Sequence, residues 1–270
     1  MKLSAWIDGI GLIGPGLPDW PHAADILAGH AAYHPKRTEA PPPAALPSAE
    51  RRRSGPGVRV ALDAASEAVA ASGWQADALP AVFAASGPDG YNYHAICETL
   101  AGEDRSLSPT RFHNSVHNAA AGYWSIACGA MTASNVLTAH DASFGAGLLD
   151  AMSLLACDGG ACLLVAYDTD YPEPLRTHRP IPDCFGLGLV LAASAGPHTL
   201  ARLDLAWSSE AATTLAEPAL EMLRSGVPSA RALPLLRVLA GGSGGSVVLD
   251  YLDELRLRAT VTPHGADGAG

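Results

Sequence analysis

Lysine is nearly missing from this chain of 270 residues. Lys2 and Lys36 are the only two, and charged residues of all kinds make up 16% of the sequence. Acidic side chains outnumber basic ones by 27 to 17, for a formal net charge of −10 and an isoelectric point near 5.4. That balance argues against nucleic acid as a partner. Long hydrophobic runs are absent too: stretches such as Leu187 to Ala195 are too short to cross a bilayer, so no membrane partner is expected. Residues 1–30 carry Asp8 and Asp19 and lack a basic segment followed by an uninterrupted apolar one, which predicts no signal peptide. The five cysteines are odd in number and not closely paired, fitting a reducing cytoplasm better than a disulfide framework. The Gly-rich turn Ser86-Gly87-Pro88-Asp89-Gly90 has neither the lysine nor the spacing of a phosphate loop and reads as a plain turn. His113 and His117 are spaced to share a helix face, with His140 as a third imidazole. No acidic or cysteine ligand is positioned to complete the set, so no metal and no cofactor is expected.

What is present is apolar and patterned. A 48% hydrophobic chain of this length can bury a large core. Val58, Ala61, Leu62, Ala65 and Val69 recur at helical spacing with Arg59, Asp63 and Glu67 elsewhere on the cylinder, predicting an amphipathic helix that ends at Gly73. Ala119 to Cys128 and Phe144 to Ala156 are almost free of charge, the mark of helices buried between layers. Ala133 to Ala139 and Ala161 to Ala166 read as central strands, and strands alternating with helices imply a layered α/β sheet. Towards the end, Ala216 to Leu223 and Ala230 to Leu239 look helical. Ser246 to Tyr251 and Glu254 to Thr262 read as a hairpin whose second strand alternates Leu255, Leu257, Ala259, Val261 with Arg256, Arg258, Thr260, an edge with one wet face. One domain is expected over residues 1–262, with a disordered tail at 263–270. The Pro-rich segment Ala40 to Pro47 reads as a mobile loop flanked by basic residues, among them Arg51, Arg52 and Arg53.

Between Ser108 and Ala151 runs SPTRFHNSVHNAAAGYWSIACGAMTASNVLTAHDASFGAGLLDA. This stretch resembles the core of a β-ketoacyl synthase, and three further segments agree with it in order. Trp6 to Gly16 is similar to the family's opening strand and Gly-rich turn, Arg59 to Gly87 to a helix and its strand, and Cys162 to Asp168 with Gly186 to Ala193 to the closing strands. The resemblance spans roughly Leu3 to Ala206 and implies a thiolase-like layered fold, an α/β/α half truncated relative to the full αβαβα ketosynthase.

It also implies a missing nucleophile. The family places a cysteine on a tight turn at the head of a buried helix, where the dipole favours the thiolate. Here that turn reads Ala139-His140-Asp141-Ala142-Ser143. Aligning without a gap from Asn118 through Gly129 puts Asp141 at the nucleophile position; a one-residue gap puts His140 there. Neither can form a thioester. His140 and Asp141 are expected to be buried polar groups that satisfy the helix-end donors. The family's later lysine and two histidines have no counterpart, because both lysines precede the motif.

The resemblance extends to the short ketosynthase-like proteins that accompany full-length ketosynthases in aryl polyene and related clusters and act like chain-length factors. It implies a non-catalytic partner that pairs with a full-length ketosynthase, lines the acyl tunnel with Phe112, Val116, Met131 and Asn135, and meets acyl carrier protein through the complex, with Arg51, Arg52 and Arg53 as a docking patch. The alternative is a stand-alone decarboxylase using Asp141 and His140, or an acyltransferase using Ser143.

Overall fold

A computed structural model describes residues 2–265. They form one mixed sheet of eight strands: β1 (Lys2–Ile13), β2 (Ala81–Ala85), β3 (Ser134–Leu137), β4 (Ala161–Asp168), β5 (Phe185–Ala192), β6 (Ala201–Ser208), β7 (Gly245–Leu249) and β8 (Arg256–Pro263). The order across the sheet is β3-β2-β4-β5-β1-β6-β8-β7. β2 lies parallel to both β3 and β4, and every other pairing is antiparallel. The helices are α1 (Trp20–Leu27), α2 (Ser48–Arg53), α3 (Pro56–Ser72), α4 (Gly90–Ala101), α5 (Pro109–His113), α6 (Ala119–Cys128), α7 (Ser143–Asp158), α8 (Leu175–His178), α9 (Pro218–Gly226) and α10 (Leu233–Gly241). α3 and α6 cover one face of the sheet. α7, α1, α10 and a 3₁₀ turn at Pro228–Ala232 cover the other, giving the α/β/α layering expected of half a thiolase-like fold.

Local signals set these elements. α3 begins with Pro56 in its first turn and stops at Gly73, whose φ of 75° is the left-handed cap that a glycine adopts without a Cβ penalty. Asp89 accepts from Asn92 N–H at the head of α4 and from Gly57 N–H at the head of α3, so one half-buried carboxylate caps two helices. The Ser86–Gly90 segment is therefore a structural turn.

The last seventy residues are more than an appendage. β6 pairs with β1, β8 with β6 and β7 with β8, so they widen the same sheet. The alternation in β8 is as expected, with Leu257, Ala259 and Val261 buried, but β8 is paired on both sides and β7 is the outer strand. Alternation reports which face is wet and says nothing about edges. The wet face of β6 and β8 is polar and internally paired, through Ser4, Arg202 and Asp204 and through Arg258 and Glu210. Pairing continues past the expected onset of the tail: Pro263 belongs to β8 and His264 N–H donates to Leu200 C=O. Residues 266–270 of that tail lie outside the described residues.

Two further expectations change. Ala133 to Ala139 yields the edge strand β3 rather than a central one, and α6 buries only Ala120, Ala121, Tyr123 and Trp124, leaving Gly122 and Ile126 exposed. Freedom from charge reads as burial, yet here it marks surface. The Pro-rich loop is held down: Leu46 is buried, and the Arg51 guanidinium donates to Ala44 C=O and Leu46 C=O.

The close backbone approach of α3 to β5 predicts a sensitive position. A Cβ on Gly188 would lie 2.4 Å from Ala64 C=O of α3, and on an unclashed Gly122 it would meet nothing within 4 Å. Gly188→Ala is expected to cost about 3 kcal/mol through overpacking. Gly122→Ala, in an exposed helix turn, is expected to stabilise by about 0.5–1 kcal/mol. Urea denaturation of the two variants checks both signs.

Candidate functional site: a charged strand-to-helix turn and an uncovered edge

The turn from β3 into α7 is sharp because its tip residue takes a backbone conformation that side chains rarely adopt. His140 has φ 52° and is the one non-glycine residue with positive φ among the described residues. Its ring is largely exposed, which puts His140 and not Asp141 at the apex. Asp141 points into a cluster of cations contributed from far along the chain. Arg179 Nη1 lies 2.6 Å and Arg231 Nη2 3.1 Å from its two carboxylate oxygens. Arg179 Nη1 also lies 3.1 Å from His140 Nε2, while His140 Nδ1 is 3.5 Å from Asp141. A guanidinium can only donate, so Nε2 accepts and the ring proton sits on Nδ1 facing Asp141.

This differs from the expected helix-capping role. Ala142 is the N-cap of α7 and makes no side-chain cap, and neither His140 nor Asp141 is fully buried or bonded to a helix N–H. Two arginines compete for the same carboxylate and draw it away from the helix. Ser143 is the residue that braces the turn: its Oγ accepts from Ala139 N–H at 2.9 Å and lies 2.7 Å from His140 C=O and 3.2 Å from Ala85 C=O. It is buried, so it presents no free hydroxyl to a substrate. Burial alone would raise the Asp141 pKa; the hydrogen bond from Arg179 and the charges of Arg179 and Arg231 outweigh it and hold the carboxyl below its usual range. Arg179 and Arg231 carry no local sequence signal, since they meet the turn only through folding.

None of the tunnel and interface candidates is in the core. Met131 is 95% exposed, Phe112 64% and Val116 47%, joined by Ile126 at 48%. Asn135 is exposed on β3 and donates to Asp150 on α7 at 3.0 Å. Ile126 escaped sequence reasoning, although the uncharged helix around it was the signal. A cleft of about 40 Å³ beside Val116, lined in part by Gly57, Gly87, Asn114, His117 and Tyr167, has room for about one water. α5 ends at His113, so His113 and His117 do not share a helix; His113 instead packs edge-on against Tyr123. Of the basic patch, Arg51 is spent on the loop carbonyls and Arg53 pairs with Glu50 at 3.1 Å, while Arg52 is exposed.

A family model described as beta-ketoacyl synthase, N-terminal domain, matches residues 27–241. Among solved structures, a chain of the ketosynthase ApeO in complex with its chain length factor ApeC from Xenorhabdus doucetiae superposes with a TM-score of 0.73 at 22% identity, covering 96% of this chain and 99% of that one. The ishigamide ketosynthase/chain length factor gives 0.71 at 14% identity, over 97% and 100%. The AntDE:AntF complex, a type II acyl-carrier protein with its ketosynthase, gives 0.71 at 10% identity, over 97% and 99%. No curated protein matches.

The charged turn has a measurable signature. A carboxylate whose folded pKa is depressed contributes stability that is complete above its unfolded value, about 3.9, and is lost as pH falls through the lower folded one. Asp141→Asn is expected to lower stability at pH 7 by roughly 1 kcal/mol, a partly exposed ion pair being worth no more. The variant should also lose less stability than the parent between pH 5 and pH 2, which acid titration of the unfolding midpoint checks.

Proposed function

The chain belongs to the β-ketoacyl synthase family through that family's N-terminal domain, and from this we propose that it is a non-catalytic, chain-length-factor-like partner of a full-length β-ketoacyl-ACP synthase. The observation that carries the reading is the turn. His140 stands at its apex where the family carries a nucleophile, with Nε2 already accepting from Arg179, so the lone pair a general base needs is occupied. Ser143 is buried and committed to backbone bonds, which speaks against an acyltransferase of its own. The Asp141 carboxylate is held by two arginines, which speaks against a decarboxylase built on it.

The role lies instead at the edge. β3 pairs with a ketosynthase across the sheet edge, and Phe112, Val116 and Met131 close the partner's acyl tunnel from outside. The cleft beside Val116, next to these side chains, is too small for an acyl chain, which supports a tunnel supplied by the partner. Acyl carrier protein meets the complex through the patch of Arg51, Arg52 and Arg53, of which Arg52 is the exposed member without an ion pair to Glu50. The pathway is polyketide or fatty-acid assembly of the aryl polyene kind, in the cytoplasm. Support comes from the relatives of like fold, described as complexes of a ketosynthase with a chain length factor and, in one case, an acyl-carrier protein.

Co-expression with a full-length ketosynthase from the same gene cluster should give a heterodimer on size exclusion. Intact mass after incubation with acyl thioesters should show acylation of the ketosynthase alone; acyl mass on this chain would defeat the proposal. Phe112→Ala and Met131→Ala should lengthen the products, since each added buried methylene contributes roughly 0.8 kcal/mol, about a fourfold preference. Because both side chains are exposed, the melting temperature of the free chain should stay put. An unchanged product profile in both variants would remove the length-setting role from these positions.

A further inference from the structure

From Phe112 to Leu175 the sequence contains no lysine and no arginine. That span supplies the whole uncovered edge: β3, the outer side of α6, and the side of α7 that carries Ala146, Leu149, Asp150, Ser153 and Cys157 at helical spacing, all at least partly exposed. Across these three elements the carboxylates are Asp150 and Asp158, and Asp158 closes α7 at its far end. Asp150 is therefore one negative charge on an apolar and small-residue face, held beside the edge strand by Asn135 Nδ2 at 3.0 Å. That bond uses one carboxylate oxygen and leaves acceptor capacity for a donor arriving from outside.

Symmetry makes this arrangement selective. β3 is four residues long, so an antiparallel pairing with a second copy across a two-fold axis brings the middle of the strand, Asn135 and Val136, to the axis. Directly opposed Cβ atoms in such a pair are about 5 Å apart. Each copy would then bring its own Asp150 carboxylate to the same place, with no lysine or arginine on β3, α6 or α7 to offset it. A different chain with a cation at that position meets no such conflict. We infer that Asp150 is a specificity-determining residue: it disfavours a second copy of this chain and selects a partner strand flanked by a lysine or arginine. Like charges set against the wrong partner are a common route to specificity, because discrimination needs a repulsive element as well as an attractive one. This deepens the pairing proposed above and rests on it.

The test is Asp150→Asn, which keeps the shape and the contact with Asn135, with Asp158→Asn as the control on the same helix. Sedimentation equilibrium of each chain alone reads self-association, and titration against the co-expressed ketosynthase reads partner affinity. Asp150→Asn is expected to strengthen self-association at least tenfold and to weaken ketosynthase binding at least tenfold, with Asp158→Asn within twofold of the parent on both. Circular dichroism confirms that both variants fold. If Asp150→Asn leaves both affinities within twofold while the parent binds the ketosynthase, the selectivity inference falls and the pairing reading stands. If the parent binds no ketosynthase, the pairing reading falls, and unchanged self-association in Asp150→Asn would remove the repulsive role as well.

Discussion

Direct backbone contact between α3 and the strands β1 and β5 is the constraint on which the other layers depend. Gly9 and Gly11 on β1 and Gly186 and Gly188 on β5 leave no room for a Cβ, which would come within 2.1–2.6 Å of α3 atoms, three of the four closest being carbonyl oxygens of Ala64 and Ala68. All four have extended backbone, so glycine is required for space and not for conformation. The helix answers with its own small residues, Ala61, Ala64, Ala65 and Ala68, each fully buried. At that separation Glu67 reaches across the layer and accepts from Leu12 N–H and Trp20 N–H, both at 2.8 Å. Burial raises its pKa, and the two donors work against that shift. One carboxylate thus fixes the end of β1 and the start of α1 to α3.

The turn inherits its position from this frame. β2 and β4 run parallel, and at the end of β4 the buried Asp168 accepts from Ser86 N–H at 2.9 Å, just past β2, and from Ser229 N–H at 2.7 Å in the 3₁₀ turn. Burial pushes the Asp168 pKa up, offset by these donors. The second bond has a consequence at a distance, because Ser229 is two residues from Arg231. Anchoring the 3₁₀ turn to the end of the sheet sets Arg231 against Asp141, while Arg179 arrives from the connection between β4 and β5. The apex of the β3–α7 turn is therefore held by charge from two later segments, together with the Ser143 brace, and needs no thiolate to organise it.

These features were unequally legible in the sequence. The central strand β4, α3 with its Gly73 stop, and the C-terminal hairpin followed from periodicity and end signals, which are local. The order of strands did not, since β6 joining β1 depends on pairing across some two hundred residues. The β3–α7 turn was legible as a strand-to-helix junction, but the left-handed backbone of His140 at its tip is a dihedral angle that spacing cannot supply. The partners of Asp141 were invisible for the same reason that Asp168 was: each acts through residues remote in sequence. The charge-free helices misled in an instructive way. Both helices bury one side only, α7 eight of its sixteen residues and α6 four of its ten, because composition records that a face avoids water and not which molecule covers it.

That ambiguity bears on the edge itself. Exposed edge strands in monomeric proteins are normally blunted by lysine, proline, a bulge or a covering loop, because their unpaired N–H and C=O groups template further pairing. β3 has none of those side chains; its sequence is Ser-Asn-Val-Leu, and the residues next to it include Met131, almost fully exposed. The opposite edge is treated differently. β7 is covered by the chain's own loop, with Thr213 N–H donating to Val248 C=O and Val248 N–H donating to Thr213 Oγ1. One edge of the same sheet is closed and the other is left apolar and open. The contrast between a β7 sealed by a single threonine and an unsealed β3 is what the proposed pairing would require.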